Sequence, residues 1–200
     1  MYKRQGYSGI GTDDHVAILA CWAQCALGAG GGVSYVGTGQ YLSSVSLSLP
    51  SNVCLQGNGF SSLIWQNAVN GVSRNGSGGV AGYIADMTFQ NVSLGLCGLN
   101  IQNVQGARVD RCVSSGWTQQ GVTFIDTILS EMSLTVVSAC GSLSGGVRGG
   151  TGYAAVEVDS AIGAGSTTWN WYNNNVTNNN GPSGLRIDRT GAAVISGGGA

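Results

Sequence analysis

Four short segments of this chain share one alternation. Leu99-Asn-Ile-Gln102, Val122-Thr-Phe-Ile125, Val156-Glu-Val-Asp159 and Leu185-Arg-Ile-Asp188 each read apolar, variable, apolar, variable. A period of two is the mark of a strand with one buried face. A second series sits in the intervals between them: Ala107-Arg-Val-Asp110, Met132-Ser-Leu-Thr135 and Trp169-Asn-Trp-Tyr172. The intervals are uneven but comparable. One coil every ~20–30 residues, carrying two or three short strands, is the spacing of a β-solenoid. A sandwich would need hairpins, and tight two-residue hairpin turns are scarce here. Further short strands are expected at Val33–Val36, Val53–Gln56 and Ile84–Phe89. The run Asn173–Asn180 fits either the turns of such a coil, with stacked Asn side chains, or a loop.

One segment reads as a helix. Ala17, Ile18, Cys21, Trp22 and Cys25 recur at helical spacing, and Gly28 to Gly32 ends the run. Thr12 or Asp13 would cap it, with Asp14 against the positive end of its dipole. In a solenoid, a helix from about 14 to 27 would cover the open core and unpaired edge of the first coil. Hydrophobic residues make up 42% of the chain, enough for a core. Only 8% of residues are charged and the net charge is -1. That excludes the basic footprint of a nucleic-acid binder and a polybasic membrane patch. No stretch is long and apolar enough to span a bilayer. The six cysteines are widely spaced and the one histidine is His15, so no metal site and no cofactor are expected. Cys54, Cys97 and Cys112 are expected to be buried thiols.

Residues 9–65 carry a family resemblance. Gly9-Ile-Gly-Thr-Asp-Asp14 followed by Ala17-Ile18 is similar to the opening of pectate-lyase-like tailspikes and related polysaccharide-active enzymes. Gly30-Gly-Gly-Val-Ser-Tyr-Val36, Gly39-Gln-Tyr-Leu42, Leu47-Ser-Leu-Pro-Ser-Asn-Val53 and Leu55-Gln-Gly-Asn-Gly59 follow in the family's order. Val36-Gly-Thr-Gly39 stands where the family has a Pro-rich turn. The resemblance implies an all-β, right-handed parallel β-helix with an N-terminal capping α-helix. It further implies a polysaccharide partner, an extracellular or virion-surface setting and, for a tailspike, a homotrimer. Met1–Gln5 resembles the translated end of a sequencing adapter. The native domain is therefore expected over 6–200, cut short at both ends.

The family's known catalytic motifs are mostly missing, and fold alone does not give activity. The candidate chemistry comes from stacking the four-strand series. Its variable positions form two outward columns: Asn100, Thr123, Glu157 and Arg186, then Gln102, Ile125, Asp159 and Asp188. Asp159 and Asp188 would be neighbours, with Glu157 beside Arg186. Crowded carboxylates raise one another's pKa, which suits acid–base work on a glycosidic bond. Arg186 would hold a sugar carboxylate, and Tyr172 and Trp117 would stack on sugar rings. Arg108 and Asp110 repeat the Arg-x-Asp spacing as a surface pair. Asp13 and Asp14 are better explained by helix capping than by catalysis. Two functions stay open: a glycoside hydrolase or lyase, and a non-catalytic binding module or structural shaft of a virion or adhesin.

Overall fold

The computed structural model describes residues 13–28, 30–65, 69–92, 95–141, 153–160, 170–173, 175–178, 183–188, 191 and 193–197. One helix, α1 (His15–Ala26), precedes seventeen strands among the described residues. In order these are β1 (Gly32–Tyr35), β2 (Gly39–Ser43), β3 (Leu47–Ser48), β4 (Val53–Trp65), β5 (Val72–Val80) and β6 (Tyr83–Asn91). Then come β7 (Leu99–Gln105), β8 (Arg108–Asp110), β9 (Val113–Ser115), β10 (Val122–Ile125), β11 (Glu131–Ser133) and β12 (Val136–Ser138). The last are β13 (Ala154–Asp159), β14 (Asn170–Asn173), β15 (Val176–Asn178), β16 (Ser183–Ile187) and β17 (Ala193–Ser196). Met1–Thr12 and Trp169 lie outside the described residues.

The strands pair in parallel and build a β-solenoid with three faces. The first face stacks β1, the first half of β4, the first half of β6, then β8, β11, β14 and β17. The second stacks β2, the later halves of β4 and β6, then β9, β12 and β15. The third runs β3, β5, β7, β10, β13, β16. Its inward column is Leu47, Val72, Leu99, Val122, Val156 and Leu185, each in register with the next. The first face answers with Leu55, Ile84, Val109, Met132 and Tyr172. Fully burying such a side chain is worth about 1.5–3 kcal/mol. A one-residue slip of β13 would turn Glu157 and Asp159 into the core, so the apolar columns hold the register.

Arg74 interrupts this interior. It sits in register with Ile101 and is buried. Its guanidinium donates to the carbonyls of Gly82 and Val53, and burial pushes its pKa down to about 10.

Corners follow a strict rule. Asn103, Gly106, Arg111 and Gly116 have positive φ, and so do Asp126, Leu129, Leu134 and Ala139, their counterparts one coil further on. Every one is followed by a buried residue: Val104, Ala107, Cys112 and Trp117, then Thr127, Ser130, Thr135 and Cys140. The left-handed residue turns the chain and the next side chain drops inside. Small corners such as Cys112 and Thr135 stack, and the Cys112 N–H donates to Thr135 Oγ1 (3.4 Å). Of the run Asn173–Asn180, residues 173 and 175–178 are described. Val176–Asn178 is a strand, and Asn175 ties to the coil before it: Nδ2 donates to Met132 O (2.9 Å) and Oδ1 accepts from Thr135 N–H (3.0 Å).

The helix lies over the first coil with Trp22 buried in the core cluster. Asp14 occupies its N-cap position but makes no side-chain cap bond. Its carboxylate instead accepts from Leu42 N–H (3.1 Å), while its own N–H donates to Leu42 O (2.9 Å). Asp13 accepts from His15 N–H (3.1 Å) and from Ser44. The acidic pair therefore pins α1 to β2 as well as starting the helix.

Three expectations need correction here. The described part of Trp169-Asn-Trp-Tyr172 departs from the expected phase: Tyr172 pairs with inward Met132 and is buried, so Trp171 faces out beside Glu131. Leu134 is a corner residue, 55% exposed, because β11 ends at Ser133. Cys54 is half-buried, since Val53 and Leu55 take the inward positions.

All six cysteines, each among the described residues, are free. Burial pushes the Cys97 and Cys112 thiols up to about 12 and Cys140 to about 11. Alkylation of the native protein should modify exposed Cys21 first and reach Cys97, Cys112 and Cys140 only on unfolding; rapid native labelling of Cys112 would contradict its place inside the corner. A left-handed leucine costs about 1–2 kcal/mol and Asn tolerates the conformation better. Leu134→Asn should therefore raise stability in urea by about 0.5–1 kcal/mol, and Asn103→Leu should lower it by a similar amount. No change in either would mean that the corners are not strained.

Candidate functional site

The outward columns of the third face stack as the alternation implies. Asn100, Thr123 and Glu157 are in register, with Glu157 paired to Arg186. Gln102, Ile125 and Asp159 form the second column. Asp188 lies one residue beyond Ile187, the partner of Val158, and its N–H donates to Val158 O (2.8 Å). The columns also extend upward to Ser73 and Asn75. Thus β13 and the end of β16 bring Glu157, Asp159, Arg186 and Asp188 onto adjoining coils.

The face is more closed than the alternation implies. Glu157 is only 4% exposed and Asp159 only 6%, while Arg186 and Asp188 are half-buried. Polar neighbours satisfy the buried carboxylates. Gln120 Nε2 donates to Glu157 Oε2 (2.5 Å) and Ser160 N–H donates to Asp159 Oδ1 (2.7 Å). A buried carboxylate is tolerated only with such partners.

Asp126 joins the group, although the strand pattern does not single it out. It is the left-handed corner residue after β10. Its N–H donates to Asp159 O (3.1 Å) and its Oδ1 accepts from Ser160 Oγ (3.0 Å). The available signal is an Asp just past the fourth residue of a repeating strand, where a solenoid must turn. Gln120 carries no such signal of its own.

Coil length changes at this strand. Leu99 pairs with Val122, Val122 with Val156 and Val156 with Leu185. The coil from β7 to β10 is the shortest of the three, and the coils entering and leaving β13 are both longer. Residues 142–152 and 161–169, within those two intervals, lie outside the described residues.

Two proposed sugar platforms sit elsewhere. Trp117 is 1% exposed and packs against Trp65 with ring centroids 5.5 Å apart. Tyr172 is 3% exposed and meets Phe124 edge-on at 5.9 Å. Neither ring presents a face to a ligand. Sequence leaves their direction open, because a Trp or Tyr beside Gly or Asn fits either side of a strand.

Arg108 and Asp110 do point outward, on the first face, but each pairs with another residue and not, as expected, with the other. Arg108 Nε lies 3.3 Å from Glu131 Oε2. Asp110 accepts from Ser133 Oγ (2.8 Å) and pairs with Arg111, which also grips both oxygens of Asp86 (2.7 and 2.9 Å). Among the described residues, no group of three His, Cys, Asp or Glu is placed to hold a metal ion.

No protein-family model and no curated protein matches the chain. Solved structures do. ORF18 of Geobacillus virus E2 matches with a TM-score of 0.65 over 88% of this chain at 17% identity. The chain spans 36% of that viral protein's length. A protein of Parabacteroides merdae ATCC 43184, provisionally described as a glycosyl hydrolase, matches with a TM-score of 0.55 at 11% identity. That match covers 96% of this chain and 92% of the other. At these identities the likeness establishes a shared fold.

The Asp86 cluster yields a pH dependence. The Arg111 hydrogen bond, opposed by burial and helped by Gln56, holds the Asp86 carboxyl below its ordinary 3.8. A depressed carboxyl contributes stability above its unfolded pKa and loses it as pH falls through the folded one. Asp86→Asn should therefore be less stable than the unsubstituted chain near neutrality, and the deficit should vanish as pH drops below 3.8. Urea unfolding across that range checks this; a deficit independent of pH would contradict it.

Proposed function

We propose that this chain is a polysaccharide-active β-solenoid that cleaves a glycosidic bond at the third face, as a hydrolase or lyase of pectate-lyase-like type. The observation that carries the reading is the register of β13 on β16. It pairs Glu157 with Arg186 and Val158 with Ile187, the residues just before Asp159 and Asp188. In a hydrolytic reaction one protonated carboxyl donates to the leaving oxygen and the other attacks the sugar or activates water. Arg186 would pair with a sugar carboxylate. A virion-surface or extracellular setting, as in a tailspike depolymerase, and a homotrimeric assembly belong to the same reading. The fold shared with a Geobacillus virus protein and with a provisional glycosyl hydrolase supports it.

A second reading has its own support. Glu157 and Asp159 are covered and hydrogen-bonded, as they would be in a structural shaft or a non-catalytic binding module. Cleavage separates the two. The chain should release reducing ends or unsaturated products from a member of a polysaccharide panel. Asp159→Asn and Asp188→Asn should each abolish release while keeping the circular dichroism of the parent. Release undiminished in both variants would remove these carboxylates from catalysis, and no release from any polymer would leave the shaft.

A further inference from the structure

The third face is not the only surface with sugar-like chemistry. On the outside of the first face, Tyr83, Arg108, Glu131 and Trp171 stack in register on successive coils. Coils are about 4.8 Å apart, so Tyr83 and Trp171 are separated by about 14 Å along the solenoid axis. Tyr35, 65% exposed, stands on the same face two coils before Tyr83. Tyr83 and Trp171 mark a line parallel to the axis, and Tyr35, in register with Gln56 and Ala85, stands two residues to one side of it.

The groups between them are polar and already fixed. Arg108 is held by Glu131, and Asp110 by Ser133 and Arg111. Pre-set side chains lose little further entropy when a ligand arrives. With Asp86, which Arg111 also holds, the group sets three carboxylates against two guanidiniums, so the face is a poor partner for a polyanion. It does offer hydrogen-bond donors and acceptors beside aromatic rings. A pyranose needs that combination, because its C–H face is apolar and its rim is hydroxyl.

We propose that the outer first face, from Tyr35 through Tyr83 to Trp171, is a second, non-catalytic binding surface for a neutral glycan lying along the solenoid axis. The inference rests on the polysaccharide reading but not on the carboxylates of the third face.

A printed array of neutral and uronic-acid-bearing glycans, followed by titration of the best neutral ligand, tests this. Trp171→Ala and Tyr83→Ala should each weaken binding about tenfold, as loss of an aromatic anchor does. Tyr35→Ala, at an exposed position that folding does not need, should weaken it too. Asp159→Asn should bind as the parent does. Parent-like binding by all three aromatic variants, with loss in Asp159→Asn, would overturn this surface and leave the polysaccharide reading intact. A preference for uronic-acid glycans that is lost in Trp171→Ala or Tyr83→Ala would overturn the neutral assignment. If Trp171→Ala changed the mass by light scattering without touching glycan affinity, the face would belong to a second copy and the proposal would fail. No binding of any glycan by the parent would overturn both readings.

Discussion

Everything in this molecule depends on inward side chains of successive coils standing directly over one another. The column Leu47, Val72, Leu99, Val122, Val156, Leu185 is aliphatic throughout. Neighbouring members of it lie about 4.8 Å apart. Parallel backbone ladders would tolerate a slip of a residue; these columns do not, because a slip exchanges the inside for the outside. Outward positions are consequently placed with the same accuracy as the core. That is how Glu157 comes to face Arg186 and Arg108 comes to face Glu131, although nothing about charge demands either pairing.

Corners impose the second constraint. Each coil must turn at fixed points, and the chain does so with left-handed residues. Gly106 and Gly116 meet the requirement without strain, and Asn103 and Asp126 meet it with little. Leu129 and Leu134 meet it at a cost that the rest of the coil sustains. The residue after each corner is pulled inside, which explains why Cys112 and Cys140 are buried while Cys21 on the helix is not. These thiols are small corner fillers, and their raised pKa values are a consequence of that position.

Much of this architecture is legible in the residues alone. The alternation of Leu99–Gln102, Val122–Ile125, Val156–Asp159 and Leu185–Asp188 places the paired positions of the third face, because aliphatic and polar residues there differ sharply in character. The segment ending in Tyr172 defeats the same reading for the opposite reason. Trp171 and Tyr172 are both aromatic, so alternation has no contrast to act on, and only the pairing of Tyr172 with Met132 decides the phase. Leu134 misleads because an apolar side chain at a left-handed corner looks like the continuation of a strand. Burial of Glu157 and Asp159 is hidden for a different reason again: alternation reports which way a side chain points, not what lies over it. Gln120 comes from the preceding turn, and no local pattern announces its reach to Glu157.

Both proposed surfaces rest on register, so register is the thing to measure. In a background lacking Cys21, Glu157→Cys paired with Arg186→Cys puts two thiols on adjoining positions of neighbouring coils. Their Cα atoms would be about 4.8 Å apart, within the span a disulfide accepts. Mild oxidation should cross-link this pair rapidly and in high yield. The shifted pair, Glu157→Cys with Ile187→Cys, should stay reduced, because one thiol faces out and the other in. Efficient cross-linking of the shifted pair, with none of the first, would show β16 displaced by a residue and would contradict the stacking from which both surfaces are built.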